Sequence, residues 1–392
     1  MKRSTLSVVI AFLLAMSATV VSGGPMMALS PDDGTPHPSP AQSAASPLLD
    51  ALALVPLGVS TFEFTDWRAL KVLHGGADIT SASPLDERQR LMLDIARSET
   101  TTFRLGLDRL ATWPELWGWD TTDLAWQASC CNAPDFALLR FRDDWDPQPF
   151  MARLEEYGYV RSDKPHATSF TFGPDTDAPS DAPLERAFAV EYGGGVGNLP
   201  PEHRASAAIS TDGHTVVIVR GPDAHRILKM AARIDPAAVV ESPFGRVAVA
   251  LGRPLAADIQ ETGQGCPWAG VEGVDFTEEM LALARSLGPF HPYEALGIGY
   301  ERAGPGEPAV GRYVFAYDKA KHAKADLPGR RTLIDEGYST LHGAPYRDRA
   351  FTLIDAVADG RELILDVALV DDTPQTLFDL PIARSLSFAK CE

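Results

Sequence analysis

Apolar residues recur along this chain in two rhythms. In VSTFEFTDW, Phe62 and Phe64 share one side of an extended segment, and in TTFRLGLD the residues Phe103, Leu105 and Leu107 do the same; a period of two marks half-buried strands. Between them, SPLDERQRLMLDIARS has helical spacing, with Ser83 placed as N-cap, Pro84 at the first helical position and acids in the first turn. FALLRFRD, from Phe136, predicts another strand. After it, Asp146 is placed to cap a helix and Pro147 to begin it; Phe150, Met151 and Leu154 point inward, and Gly158 ends it. Negative side chains suit the positive end of a helix dipole, so Asp143, Asp144 and Asp146 read as a helix start and not as catalysts. TSFTF and RAFAVEY then alternate again.

The same order returns near the C-terminus. GRYVFAYD leads into the helical KAKHAKADL, then RRTLIDEGY, then the strand-like RAFTLIDAV and RELILDVALV. LEEYGY ends at Tyr159 and IDEGY at Tyr338, so both passages run strand, Asp, helix and a Glu-rich turn into Gly-Tyr. A weaker third example is HTVVIVRGPDAHRILKMAARIDP, a strand over 215–220 and a helix stopping before Pro236, followed by RVAVAL (246–251) as a strand. Recurrence of this kind predicts an α+β fold of repeated strand-helix-strand modules, with mostly antiparallel sheets and helices packed on one face. Alternating strands favour this over a doubly wound parallel sheet, whose strands are apolar throughout. The expected division is an N-terminal α+β domain over 48–262 (one or two modules), a Gly- and Pro-rich connection with one helix over 263–293, and a C-terminal α+β domain over 294–392.

Ahead of these lie Lys2 and Arg3, an apolar run from about Ser7 to Val21 and small residues at 22–24, the pattern of a signal peptide over 1–23. The run is shorter than the roughly 20 residues that span a bilayer, which sets cleavage above the alternative of an uncleaved membrane anchor. Residues 24–47, rich in Pro, Ser, Ala and Gly, read as a flexible spacer. No later segment is apolar enough to enter a membrane, so the expected location is secreted or on the exterior of the cell envelope. The leader, the spacer, DALALVPLGVSTFEFTDW, WGWDTTDLAW, the Gly-Tyr turns and the closing ARSLSFAKC together resemble uncharacterised exported bacterial proteins built of such modules, over most of 48–392. That resemblance implies export and modular architecture, and no reaction, ligand or catalytic residue.

Charge narrows the partners. The formal net charge is −18, or −20 once Lys2 and Arg3 leave with the leader, so counterion release cannot drive binding to nucleic acid. In an exported chain Cys130, Cys131, Cys266 and Cys391 are expected in disulfides, with three connectivities open. Neighbouring Cα atoms stand about 3.8 Å apart where a relaxed bridge needs roughly 5.5 Å, so Cys130 and Cys131 should each reach a distant partner. A zinc site is the alternative, but no CxxC accompanies them.

Familiar catalytic and cofactor signatures are missing. GGGVGN (193–198) has Asn198 in place of the last Gly of a dinucleotide loop and prolines where the helix should start. No P-loop, GxSxG or HExxH occurs; Ser387 and Lys390 form an isolated SxxK; and His203, His214 and His225 are widely spaced. No cofactor and no metal is expected. The densest feature is LATWPELWGWDTTDLAWQASCC, with Trp113, Trp117, Trp119 and Trp126 beside Asp120 and Asp123. Indoles suit a sugar or protein platform, but beside an expected disulfide core filling is the favoured reading. The expectation is an exported, non-enzymatic protein binding a protein or an envelope glycan, with this stretch as candidate ligand site. An extracellular hydrolase of sugars or peptides, using a carboxylate pair assembled from separate modules, is the alternative; a purely structural role is the third.

Overall fold

The computed structural model describes residues 46–55, 59–99, 110–130, 136–172, 205–220, 224–261, 278–383 and 385–389. The leader, nearly all of the spacer, the segments around Phe103, RAFAVEY and GGGVGN, and Cys131, Cys266 and Cys391 lie outside them. The disulfide expectation therefore lies outside them too, although Cys130 is seen to be buried.

Fourteen strands are described: β1 Thr61–Thr65, β2 Leu124–Cys130, β3 Phe136–Phe141, β4 Tyr159–Lys164, β5 Ala167–Phe172, β6 Ala205–Ser210, β7 Thr215–Arg220, β8 Ala256–Glu261, β9 Ala295–Glu301, β10 Val310–Ala316, β11 Tyr338–Ser339, β12 Ala344–Pro345, β13 Phe351–Asp359 and β14 Glu362–Leu369. Twelve of them make one sheet in the order β13-β14-β10-β9-β8-β1-β2-β3-β7-β6-β5-β4, and β11 pairs with β12. Every pairing in the large sheet is antiparallel. The α+β class with antiparallel strands is thus observed. The sheet runs without a break through β8 and β9, which flank the Gly- and Pro-rich connection.

Helices cover both faces of the sheet, which corrects the expectation of one. On the first face lie α2 (Trp67–Leu73), α3 (Leu85–Ser98), α4 (Trp113–Trp117), α5 (Gln148–Glu156), α9 (Glu278–Ser286), α10 (Ala320–Asp335), α11 (Tyr346–Arg349) and α12 (Gln375–Ile382). On the second lie α1 (Pro47–Leu52), α6 (Ala224–Ala231), α7 (Pro236–Glu241) and α8 (Pro243–Leu251). The reason is in the central strands: Val216 and Ile218 of β7 enter the first core while Val217 and Val219 enter the second, and Leu139 and Leu138 of β3 divide likewise. A strand apolar on both sides must be covered on both sides.

Helix α8 is a second correction, because it was expected as a strand. RVAVAL alternates by chance, whereas Ser242 caps the helix by accepting from Gly245 N, Pro243 opens it, and Val247, Ala248 and Leu251 bury one face. A Cβ on Gly245 would stand 1.8 Å from the Val239 carbonyl oxygen, so only glycine lets α8 lie this close to α7. Ser46 Oγ donates to Gly252 O at 2.9 Å, pinning the start of α1 to the end of α8. Arg246 reaches from α8 to the sheet, donating to Tyr317 O, Glu362 and Glu294. Among the described residues no helix is long and apolar enough to cross a membrane.

Candidate functional site

The acidic stretch before α5 is architectural. Asp146 accepts from Gln148 N at 3.0 Å, Asp144 takes both ends of the Arg142 guanidinium, and Asp143 lies 3.9 Å from Arg140. Helix α5 begins one residue later than expected, behind Pro147, and Gly158 follows its end at φ +88°. A similar shift occurs at α3: Pro84 is its N-cap, and Ser83 Oγ accepts from Thr80 N instead.

The four tryptophans all lie in the core, and they do not lie together. Trp113, Trp117 and Trp119 pack on the first face; Trp119 sits edge-on to Trp113 and to Phe141, both at 5.1 Å, and Trp117 edge-on to Tyr157 at 5.6 Å. Trp126 is on the second face, against Phe64. None exceeds 8% exposure, so none of these four indole rings is presented at the surface. Asp120 and Asp123 close a one-turn 3-10 helix: Asp120 accepts from Thr122 N, and Asp123 accepts from Asp120 N and from Ser81 N. Asp120 also pairs with the buried Arg88. Burial pushes the Asp123 carboxyl up. Beside them the buried Lys71 amine donates to Thr122 O, and burial, helped by Arg142, pushes it down to about 8.

Two other constellations emerge that the linear sequence conceals. The first is a row across the middle of the sheet: Ser129 of β2, Glu63 of β1 and Asp258 of β8 are direct register partners on the first face. Ser129 Oγ donates to Glu63 at 3.1 Å, and Gln260 Nε2 donates to Asp258 at 2.7 Å. Like charges directly opposite on adjacent strands repel. Burial first, and the Glu63 charge second, push Asp258 up to about 7, with the Gln260 hydrogen bond opposing. A carboxyl of this kind holds a proton close to neutrality and can exchange it.

The second is a cavity of about 190 Å³ on the other face. Leu52, Val55 and Val59 wall it from α1 and the segment after it, and Ile234, Val239, Pro243 and Phe244 from α7, α8 and the approach to them. Glu261, at the end of β8, and Glu294, just before β9, complete the lining with Ser242. Glu261 pairs in register with Ala295, so the two carboxylates stand at neighbouring strand ends. Such a chamber is smaller than the roughly 300–1,000 Å³ of drug-sized sites and suits a small apolar molecule.

One further grouping is structural. Asp326 accepts from His291 N and Tyr317 and pairs with His291 Nδ1 at 2.7 Å; Arg330, wholly buried, donates to Tyr317 and to Phe388 O. His322, anchored by Asp318, stacks on His291 at 4.2 Å. No family model, no curated protein and no solved structure matches this chain.

Proposed function

We propose that the protein is an exported binding protein that takes a small apolar ligand between α1, α7 and α8. The observation that carries this reading is the cavity itself, whose apolar walls come from two distant stretches of chain closing over the end of β8. Ligand sites favour such junctions. The pattern of the leader supports a place outside the cytoplasm.

We also infer that the chain is a tandem of two related units. Its support is the strand order outward from the centre: β1-β2-β3 is followed by β7-β6-β5-β4 on one side, and β8-β9-β10 by β14-β13 on the other. In each half the third strand leads to the outermost strand, through α5 in the first and through α10, the β11–β12 pair and α11 in the second, and the chain then returns inward. On this view α1 before β1 and α8 before β8 are counterparts, and the ligand lies where the two units meet.

The test is a calorimetric titration of the full chain with small cycloalkyl alcohols, beside Val239→Trp, which fills the cavity. Saturable binding by the parent chain, lost in a variant with unchanged circular dichroism, supports the reading; binding that survives the filled cavity overturns it.

Hydrolysis of sugars or peptides is the second reading, favoured by the Glu63 and Asp258 pair. Glycoside cleavage with retention needs two neighbouring carboxyl groups, one holding a proton, and Glu63 and Asp258 are direct register partners on adjacent strands. Turnover of aryl glycosides that falls at least about 100-fold in Asp258→Asn would favour it, since general acid catalysis contributes at least that much.

A further inference from the structure

We infer that the ligand of this cavity is a small organic cation, an apolar body carrying a protonated amine, with Glu261 and Glu294 as its counter-charges; the inference rests on the binding reading above. The chemistry of the lining leads to it. Seven of the ten described lining residues have apolar side chains that offer no hydrogen bond. Ser242 is already engaged, since its hydroxyl donates to Val239 O at 2.6 Å and accepts from Gly245 N at 3.0 Å. Among the described residues, what remains for the polar end of a ligand is two carboxylates, and a carboxylate only accepts. The ligand must therefore donate.

Charge selects among donors. Arg246 is the guanidinium beside these acids, and its two terminal nitrogens are committed to Glu294, Glu362 and Tyr317 O. The two lining carboxylates, Glu261 and Glu294, face this one guanidinium, which Glu362 shares, so the described residues leave the mouth negative. Glu261 has no part in that network. Beside low-dielectric walls an ion pair is screened less than in bulk water, so a cation gains where a neutral donor gains little and an anion is repelled. Glu294 and Glu261 are both exposed enough to be met from solvent, while Leu52 and Val55 are buried beneath. Head-group recognition at the rim over an apolar floor follows.

A matched series separates class from occupancy: cyclohexylmethylamine, cyclohexylmethanol and cyclohexanecarboxylate, titrated calorimetrically into the full chain at neutral pH and at low and high salt. The amine should bind about tenfold or more tighter than the alcohol, the carboxylate weakest, with the gap shrinking in high salt. Glu261→Gln should bring the amine toward the alcohol and leave the alcohol unchanged; Glu261→Gln with Glu294→Gln should erase the preference. Because Glu294 also holds Arg246, the single Glu261 variant keeps the test independent of folding. Equal binding of amine and alcohol, or an amine preference that survives the double variant, overturns the cation assignment while the cavity remains a binding site. Failure of all three compounds to bind overturns both.

Discussion

At the scale of single residues, Asp258 stores a pH dependence. An aspartate in the unfolded chain titrates near 3.8, whereas in the folded protein burial and Glu63 push Asp258 up to about 7. Between those values the folded state holds a proton that the unfolded state has lost, so stability falls as pH rises through the window and the full penalty stands above it. Asp258→Asn should match the parent chain below the window and be the more stable above it, by on the order of 2–4 kcal/mol, read from urea midpoints. A midpoint difference independent of pH would contradict this account of the row. Trp119 belongs to the same scale. Its ring contacts Trp113, Phe141 and Phe150 in the core, and Trp119→Ala should cost roughly 3–5 kcal/mol on thermal or urea unfolding, as large core truncations do. A loss below about 1 kcal/mol, the scale of a surface substitution, would return the indole to the surface.

Elements show what the sequence could and could not disclose. Helix α5 was legible because its signals are local: Asp146 bonds the first amide, Pro147 precedes the first turn, and Gly158 takes the positive φ at its end. Helix α8 was not, because alternating Val and Ala in six residues satisfy both periods, and the deciding residues, Ser242, Pro243 and Gly245, precede the stretch that was read as a strand. Coverage of both faces was written into VVIV of β7 (216–219), an unbroken apolar run, but the clean Phe62–Glu63–Phe64 alternation of β1 pointed to one solvated face. Glu63 itself is a polar residue on the covered side, paired with a residue almost two hundred positions away, and such a register has no local signal. The cavity is hidden for the same reason, since Leu52 and Val59 meet Ile234, Phe244, Glu261 and Glu294 from stretches far apart in the chain. Gly245 offers a test at this scale. With a Cβ, α7 must move off α8, so Gly245→Ala should both destabilise the chain and abolish amine binding, whereas a variant with full affinity and unchanged unfolding midpoint would show that the helix crossing does not shape the cavity.

For the whole molecule, one sheet joins everything. Its central pairing, β1 with β8, places five register pairs between the two halves, from Thr61–Gln260 to Thr65–Ala256. Arg302 adds a buried link at another place, lying 3.0 Å from Glu99 and 2.8 Å from Asp372. The first face carries most of the aromatic mass, and the second carries the smaller helices that frame the cavity, so binding there can tighten α1, α7 and α8 without disturbing the aromatic core. Hydrogen exchange followed by mass spectrometry, with and without cyclohexylmethylamine, tests this most directly. The account predicts added protection confined to α1, α7, α8 and the facing ends of β8 and β9; protection centred on 113–126, with those elements unchanged, would contradict it.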